Sequence, residues 1–80
     1  MNLVELYSKP KCHLCEVAKH ELMALKGEYD FAFMEIDITQ SEELLEKYKE
    51  DIPVIMVNGE FISRYKLDAE LLTWKLKSSI

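Results

Sequence analysis

The spacing of apolar positions changes repeatedly along the chain, and each change predicts an element. Leu3-Val4-Glu5-Leu6-Tyr7 is a short apolar run that stops at Ser8-Lys9-Pro10, the pattern of a buried strand followed by a turn. From Cys12 the spacing becomes helical. Leu14, Val17, Ala18, Leu22 and Leu25 recur at three- and four-residue intervals, and Gly27 is a candidate stop. Phe31 to Ile38 returns to alternation, with Ala32, Met34, Ile36 and Ile38 on one face and Phe31, Phe33, Glu35 and Asp37 on the other. One face is wholly apolar and the other half charged, which suits an edge strand. Thr39 or Ser41 can cap the next helix, because Thr39-Gln40-Ser41-Glu42 has capping-box spacing; Leu44, Leu45 and Tyr48 form its apolar stripe. Val54-Ile55-Met56-Val57, Asn58-Gly59 and Glu60-Phe61-Ile62-Ser63 predict a tight hairpin, since Asn-Gly tolerates the positive φ angles of a type I′ turn. Asp68 is expected to cap a last helix, with Leu67 and Leu72 spaced as a hydrophobic staple.

The predicted order is strand, helix, strand, helix, strand, strand, helix. A helix between the first two strands implies a parallel, right-handed crossover, and the hairpin makes the sheet mixed. The expected class is α/β, a four-stranded mixed sheet flanked by three helices on both faces. At 80 residues a single domain, 1–80, is expected, and a hydrophobic fraction of 49% supplies one core. Only 2 Gly and 2 Pro argue against a disordered chain.

Charge narrows the function classes. The net charge is −5, and residues 31–60 hold most of it, with 8 acidic against 2 basic side chains. No basic run appears, so non-specific nucleic-acid binding is excluded; the acidic middle reads as a solvated helix face. Met1 to Tyr7 is interrupted by Glu5 and soon meets Pro10, unlike a secretory leader, and no apolar stretch is long enough for a bilayer. A cytoplasmic protein with no membrane partner is expected.

The 2 cysteines, Cys12 and Cys15, enclose too short a loop to staple a fold. They lie at the predicted strand-to-helix junction, where unpaired N–H groups and the helix dipole stabilise a thiolate. Lys9, Lys11 and His13 can add positive potential. Cys15, one turn on, shares a helix face with Cys12 and can displace whatever Cys12 has attacked, the two-step logic of thiol–disulfide exchange. Two other readings of the pair stand beside this one. Free cysteines are often simply buried. Half of a metal site is the third possibility, with only His13 and His20 as further His or Cys ligands. Pro53 suits the first position of a strand. A cis Ile52-Pro53 bond would turn the Ile52 amide and carbonyl toward the cysteines, where an extended substrate could pair with them.

Cys-x-x-Cys after the first strand, Ile52-Pro53 before the third and the order βαβαββα resemble the thioredoxin superfamily. Leu6-Tyr7-Ser8-Lys9 leading to Cys12, and Asp51-Ile52-Pro53-Val54-Ile55 followed by Val57-Asn58-Gly59-Glu60-Phe61-Ile62, are similar to the short glutaredoxin-like group over essentially the whole chain. The resemblance implies that Cys12 attacks, Cys15 resolves and Pro53 is cis. Two departures stand out. His13-Leu14 replaces the common Pro-Tyr, and Ser63-Arg64-Tyr65-Lys66 replaces a Gly-Gly pair and acidic residue that help hold glutathione. Arg64 and Lys66 could still bind carboxylates, and Asp68 could supply the acidic partner.

The expected function is therefore a thiol–disulfide oxidoreductase, with Cys12 and Cys15 catalytic and Lys9, Lys11, His13, Ile52 and Pro53 meeting the substrate. Its partners would be a disulfide-bearing protein or small thiol and a cellular reductant, acting on a monomer without bound cofactor or metal. Glutathione is an open co-substrate. The competing classes are an iron–sulfur or zinc carrier using Cys12 in a dimer, and a redox-inert binding module. Asp37 and Glu16 are the candidate bases for Cys15. His20 is expected to face solvent, Trp74 and Leu71 to pack in the core or at an edge, and Tyr65 to serve the structure.

Overall fold

A computed structural model describes residues 2–78. Strand β1 (Asn2–Ser8) leads to helix α1 (His13–Lys26), then strand β2 (Phe31–Asp37), a one-turn 3-10 helix (Ile38–Gln40) and helix α2 (Glu42–Tyr48). The hairpin of β3 (Val54–Val57) and β4 (Glu60–Arg64) precedes helix α3 (Ala69–Ser78). The sheet order is β2-β1-β3-β4, with β1 parallel to β2 and antiparallel to β3, and β3 antiparallel to β4. This is the anticipated α/β mixed sheet, and β2 is the edge strand that its half-charged face suggested.

Strand alternation divides the core. Val4, Leu6, Phe31, Ile55, Val57 and Ile62 pack with Ala18 and Leu22 of α1 and with Leu72 and Leu76 of α3. Leu6, Leu22 and Leu72 are wholly buried, each contributing about 1.5–3 kcal/mol of apolar burial. A second cluster, between the sheet and α2, joins Ile38, Tyr48, Ile52 and Val54 to Cys15, with the Tyr7 and Tyr48 ring centroids 4.8 Å apart. The Asn58-Gly59 turn has positive φ at both residues, 52° and 83°, as its sequence required. Asp68 caps α3 by accepting a bond from the Leu71 N–H at 3.0 Å, with Leu67 and Leu72 both buried.

Some details differ from the sequence pattern. Ala18, Leu22 and Leu25 of the expected α1 stripe face the core, whereas Leu14 and Val17 are 52% and 42% exposed and Cys15 takes the inward position at the helix start. Three- and four-residue spacing admits adjacent stripes, and the stripe containing Cys15 is the one turned to the sheet. In β2 the phenylalanine face takes the core, with Phe31 buried and Phe33 packed on it, while Met34 is 53% exposed. The phenylalanines join the larger cluster, which the sheet shares with α1 and α3. Ile38 is buried in the 3-10 turn, outside the strand. Ser41, not Thr39, caps α2, because Asp37 and Thr39 are engaged in capping the 3-10 turn. Trp74, expected to pack, is 61% exposed, and Leu71 is exposed as well. Among the described residues no helix is long and apolar enough to cross a membrane.

Candidate active site

Ser8 ends β1, and the turn through Lys9, Pro10 and Lys11 delivers the chain to α1. Lys11 lies in the left-handed region at φ 60°, an uncommon conformation for a residue with a Cβ. Cys12 is the N-cap of α1, in extended conformation, and its Sγ accepts a bond from the Cys15 N–H at 3.2 Å. This satisfies one of the donors a helix start leaves unpaired. Cys12 and Cys15 form a disulfide with Cα atoms 5.2 Å apart. The two sulfurs have different surroundings: Cys12 is partly exposed, whereas Cys15 is 3% exposed and packs with Ile38, Tyr48, Ile52 and Val54.

The other anticipated residues gather unevenly. Lys9 and Lys11 are exposed and line an open cavity of about 310 Å³ that Cys15 also lines. His13 is exposed at the first position of α1, and His20 is exposed as expected. The Ile52–Pro53 bond is cis. Both side chains are buried, and Ile52 shares the cluster of Cys15, so contact with an incoming chain would fall to their backbone. Among the described residues no backbone group outside the regular elements bonds to the Ile52 N–H or carbonyl.

The segment Ser63 to Lys66 braces this corner. The Tyr65 N–H donates to the Pro53 carbonyl at 2.8 Å and the Asp51 carbonyl at 3.2 Å. Tyr65 does so at φ 72°, a strained value for an aromatic residue. Arg64, weighed as a carboxylate binder, pairs with Asp51 at 3.6 Å and lies 5.3 Å from the Tyr65 ring centroid. Asp68 is occupied as the α3 cap. Tyr65 thus has the structural role expected of it.

Two residues escaped the sequence pattern. Glu35 of β2 accepts a bond from Ser8 Oγ at 3.1 Å through one oxygen and pairs with Lys19 Nζ at 2.9 Å through the other. Ser8, Glu35 and Cys15 line the same cavity. The available signal was a lone glutamate on the face of β2 that carries Phe31 and Phe33, but nothing local links it to Cys15. Of the candidate bases, Glu16 is exposed on the first turn of α1 and lines that cavity too. Asp37 accepts bonds from the Thr39 hydroxyl at 2.6 Å and Thr39 N–H at 2.9 Å, which hold its carboxyl below the usual range. The Tyr7 hydroxyl is pushed up by burial first and by Glu5 and Tyr48 after it. Among the described residues no group of three or more His, Cys, Asp and Glu side chains is arranged to hold a metal ion.

The family model for the glutaredoxin-like domain (DUF836) matches residues 3–77. A Dictyostelium discoideum protein named glutaredoxin-like protein YDR286C homolog is 29% identical over 82 residues, covering 94% of this chain and 75% of that protein. Protein Ne2328 from Nitrosomonas europaea, solved by solution NMR, aligns with TM-score 0.83 at 25% identity, over 92% of this chain and 89% of that one. Chloroplastic thioredoxin z, at 17% identity, shares the fold with TM-score 0.75 over 98% of this chain and 77% of its own. The sheet order, the Cys12–Cys15 pair at the mouth of α1 and the match over residues 3–77 agree, and the chain belongs to the glutaredoxin-like domain family, with a thioredoxin fold.

Proposed function

We propose that the protein is a thiol–disulfide oxidoreductase that works through Cys12 and Cys15. The observation that carries this reading is their asymmetry at one helix mouth: Cys12 is the accessible N-cap and Cys15 the enclosed partner bonded to it. In the reduced protein, a Cys12 thiolate would keep the Cys15 N–H bond and face the positive end of the α1 dipole. Exposed Lys9, Lys11 and His13 add positive charge around the approach. The thiolate attacks one sulfur of a substrate disulfide, releasing the other as a thiol and leaving a mixed disulfide on Cys12. Cys15 then attacks Cys12 Sγ, the second substrate sulfur leaves, and the Cys12–Cys15 disulfide remains for a cellular thiol reductant to reopen. The buried Ile52–Pro53 pair offers its backbone to an extended substrate segment as a short added strand.

The test is disulfide-reductase activity of wild type, Cys12→Ser and Cys15→Ser, with glutathione and with a thioredoxin-type dithiol as alternative reductants. Cys12→Ser is expected to abolish activity, and Cys15→Ser to stall as a mixed disulfide unless a second thiol resolves it. Alkylation of Cys12 in the Cys15→Ser variant is expected to have a midpoint below the ordinary cysteine value of about 8.5. Unchanged activity in Cys12→Ser would overturn the proposal. The choice of reductant follows from which one restores turnover.

A further inference from the structure

Cys15 must lose a proton before it can attack, and its surroundings of Ile38, Tyr48, Ile52 and Val54 disfavour a charge on its sulfur. The cavity beside it gives that proton an exit. Its volume of about 310 Å³ has room for several waters, at about 30 Å³ each, and it is open to solvent. Three carboxylates line it: Glu16, Glu35 and Asp37. Asp37 has an oxygen occupied by two bonds from Thr39, and its carboxyl is held low, so it is a poor base. Glu16 and Glu35 are both exposed, and the difference is that no side-chain hydrogen bond among the described residues fixes Glu16. Glu35 alone of the three is held from inside the cavity. Ser8, the buried polar side chain of the core, donates to one oxygen, and Lys19 fixes the other. A buried hydroxyl requires a partner, and here the partner is a carboxylate on the wall shared with Cys15.

Resting on the proposed dithiol reaction, we infer that Glu35, positioned by Ser8, accepts the Cys15 proton when Cys15 closes the disulfide. The Cys15 thiol proton passes to the Glu35 carboxylate through the Ser8 hydroxyl or a cavity water. The Cys15 sulfur bonds to Cys12 Sγ, and the bond between Cys12 and the substrate sulfur breaks. Its electron pair leaves on the substrate sulfur, which takes a proton from solvent. Cys15 is oxidised, the substrate sulfur is reduced, and Glu35 returns its proton to water. The other charged groups around this path are Lys9 and Lys11 in the turn, Glu16 and Lys19 on α1 and Asp37 on β2, with His20 beside Glu35 in the adjoining depression.

The experiment uses reduced protein and an excess of a symmetrical aromatic disulfide whose released thiolate absorbs visible light, followed by stopped flow from pH 6 to 10. The first release reports attack by Cys12, and the second reports closure by Cys15. Glu35→Gln keeps the size of the side chain and an oxygen for Ser8. It is expected to leave the first phase within twofold of wild type and slow the second about tenfold or more at neutral pH. The slowing should fade toward the alkaline end of the range, as hydroxide takes over removal of the proton. If Glu35→Gln does not fold by circular dichroism, Ser8→Ala carries the same expectation. A second phase unchanged in these variants, or slowed equally at every pH, overturns the role of Glu35. A wild-type protein without the first phase, or a first phase unchanged in Cys12→Ser, overturns the dithiol reading itself, so the two failures are distinguishable.

Discussion

Replacing each of the 2 glycines by alanine makes the same chemical change in two different backbones. Gly59 lies at φ +83° in the β3–β4 turn, and a Cβ built there meets no heavy atom within 4 Å. The change Gly59→Ala is therefore free of clashes, and its cost is conformational. Holding an L-residue in the left-handed region costs about 1–2 kcal/mol. The more restricted unfolded chain returns about 0.4–1 kcal/mol, leaving a destabilisation of about 1 kcal/mol. Gly27, at the C-cap of α1, has φ −71° and ψ −21°, a conformation alanine adopts readily. Its Cβ would lie 3.7 Å from the Ala24 carbonyl oxygen, an ordinary contact. Gly27→Ala should thus stabilise by about 0.4–1 kcal/mol through the unfolded state alone. In a domain of this size 1 kcal/mol corresponds to about 4–8 °C in Tm, so the variants should fall on opposite sides of wild type. Thermal unfolding followed by far-ultraviolet circular dichroism measures this, with the Cys12–Cys15 disulfide kept oxidised in all samples. A Gly59→Ala midpoint at or above wild type, or a Gly27→Ala midpoint below it, would refute the reasoning.

Two further outcomes follow from the packing and the carboxylates. Leu22→Ala removes a wholly buried side chain from the cluster shared by the sheet, α1 and α3, and should cost about 2–5 kcal/mol in urea unfolding. A loss under about 1 kcal/mol would show that α1 does not seal that face. The folded value of Asp37 is lowered from 3.8 by the Thr39 bonds, so its contribution to stability is complete above that value and lost as pH falls through the still lower folded one. NMR titration should find Asp37 below the ordinary aspartate range in wild type and nearer to it in Thr39→Val. An unperturbed Asp37 in wild type would contradict the bonding described.

What the chain carried locally was the element order, the Asn58-Gly59 turn, the Asp68 cap with its Leu67–Leu72 staple, and the cysteine pair at a helix start. Each depends on neighbouring residues: backbone φ at the turn, side-chain oxygens at the cap, and a change of period between strand and helix. The resemblance to glutaredoxin-like proteins was legible for the same reason, since its motifs are short and contiguous. Tertiary structure decided everything that depended on what an element packs against. Ala18 and Leu22 fit an inner α1 stripe that begins with Leu14 and Val17 or with Cys15, and only the position of the sheet selects Cys15. The two faces of β2 could be ranked only once Phe31 and Phe33 were seen to pack in the larger cluster, with Met34 left exposed. Ser8 and Glu35 stand 27 residues apart and meet because β1 and β2 run parallel, with Leu6 opposite Glu35 and Ser8 opposite Asp37. Local sequence determined that the cysteine pair falls at the start of a helix. The register between strands decided that Ser8 and Glu35 meet at a cavity Cys15 also lines, because spacing within one segment cannot encode the distance between two.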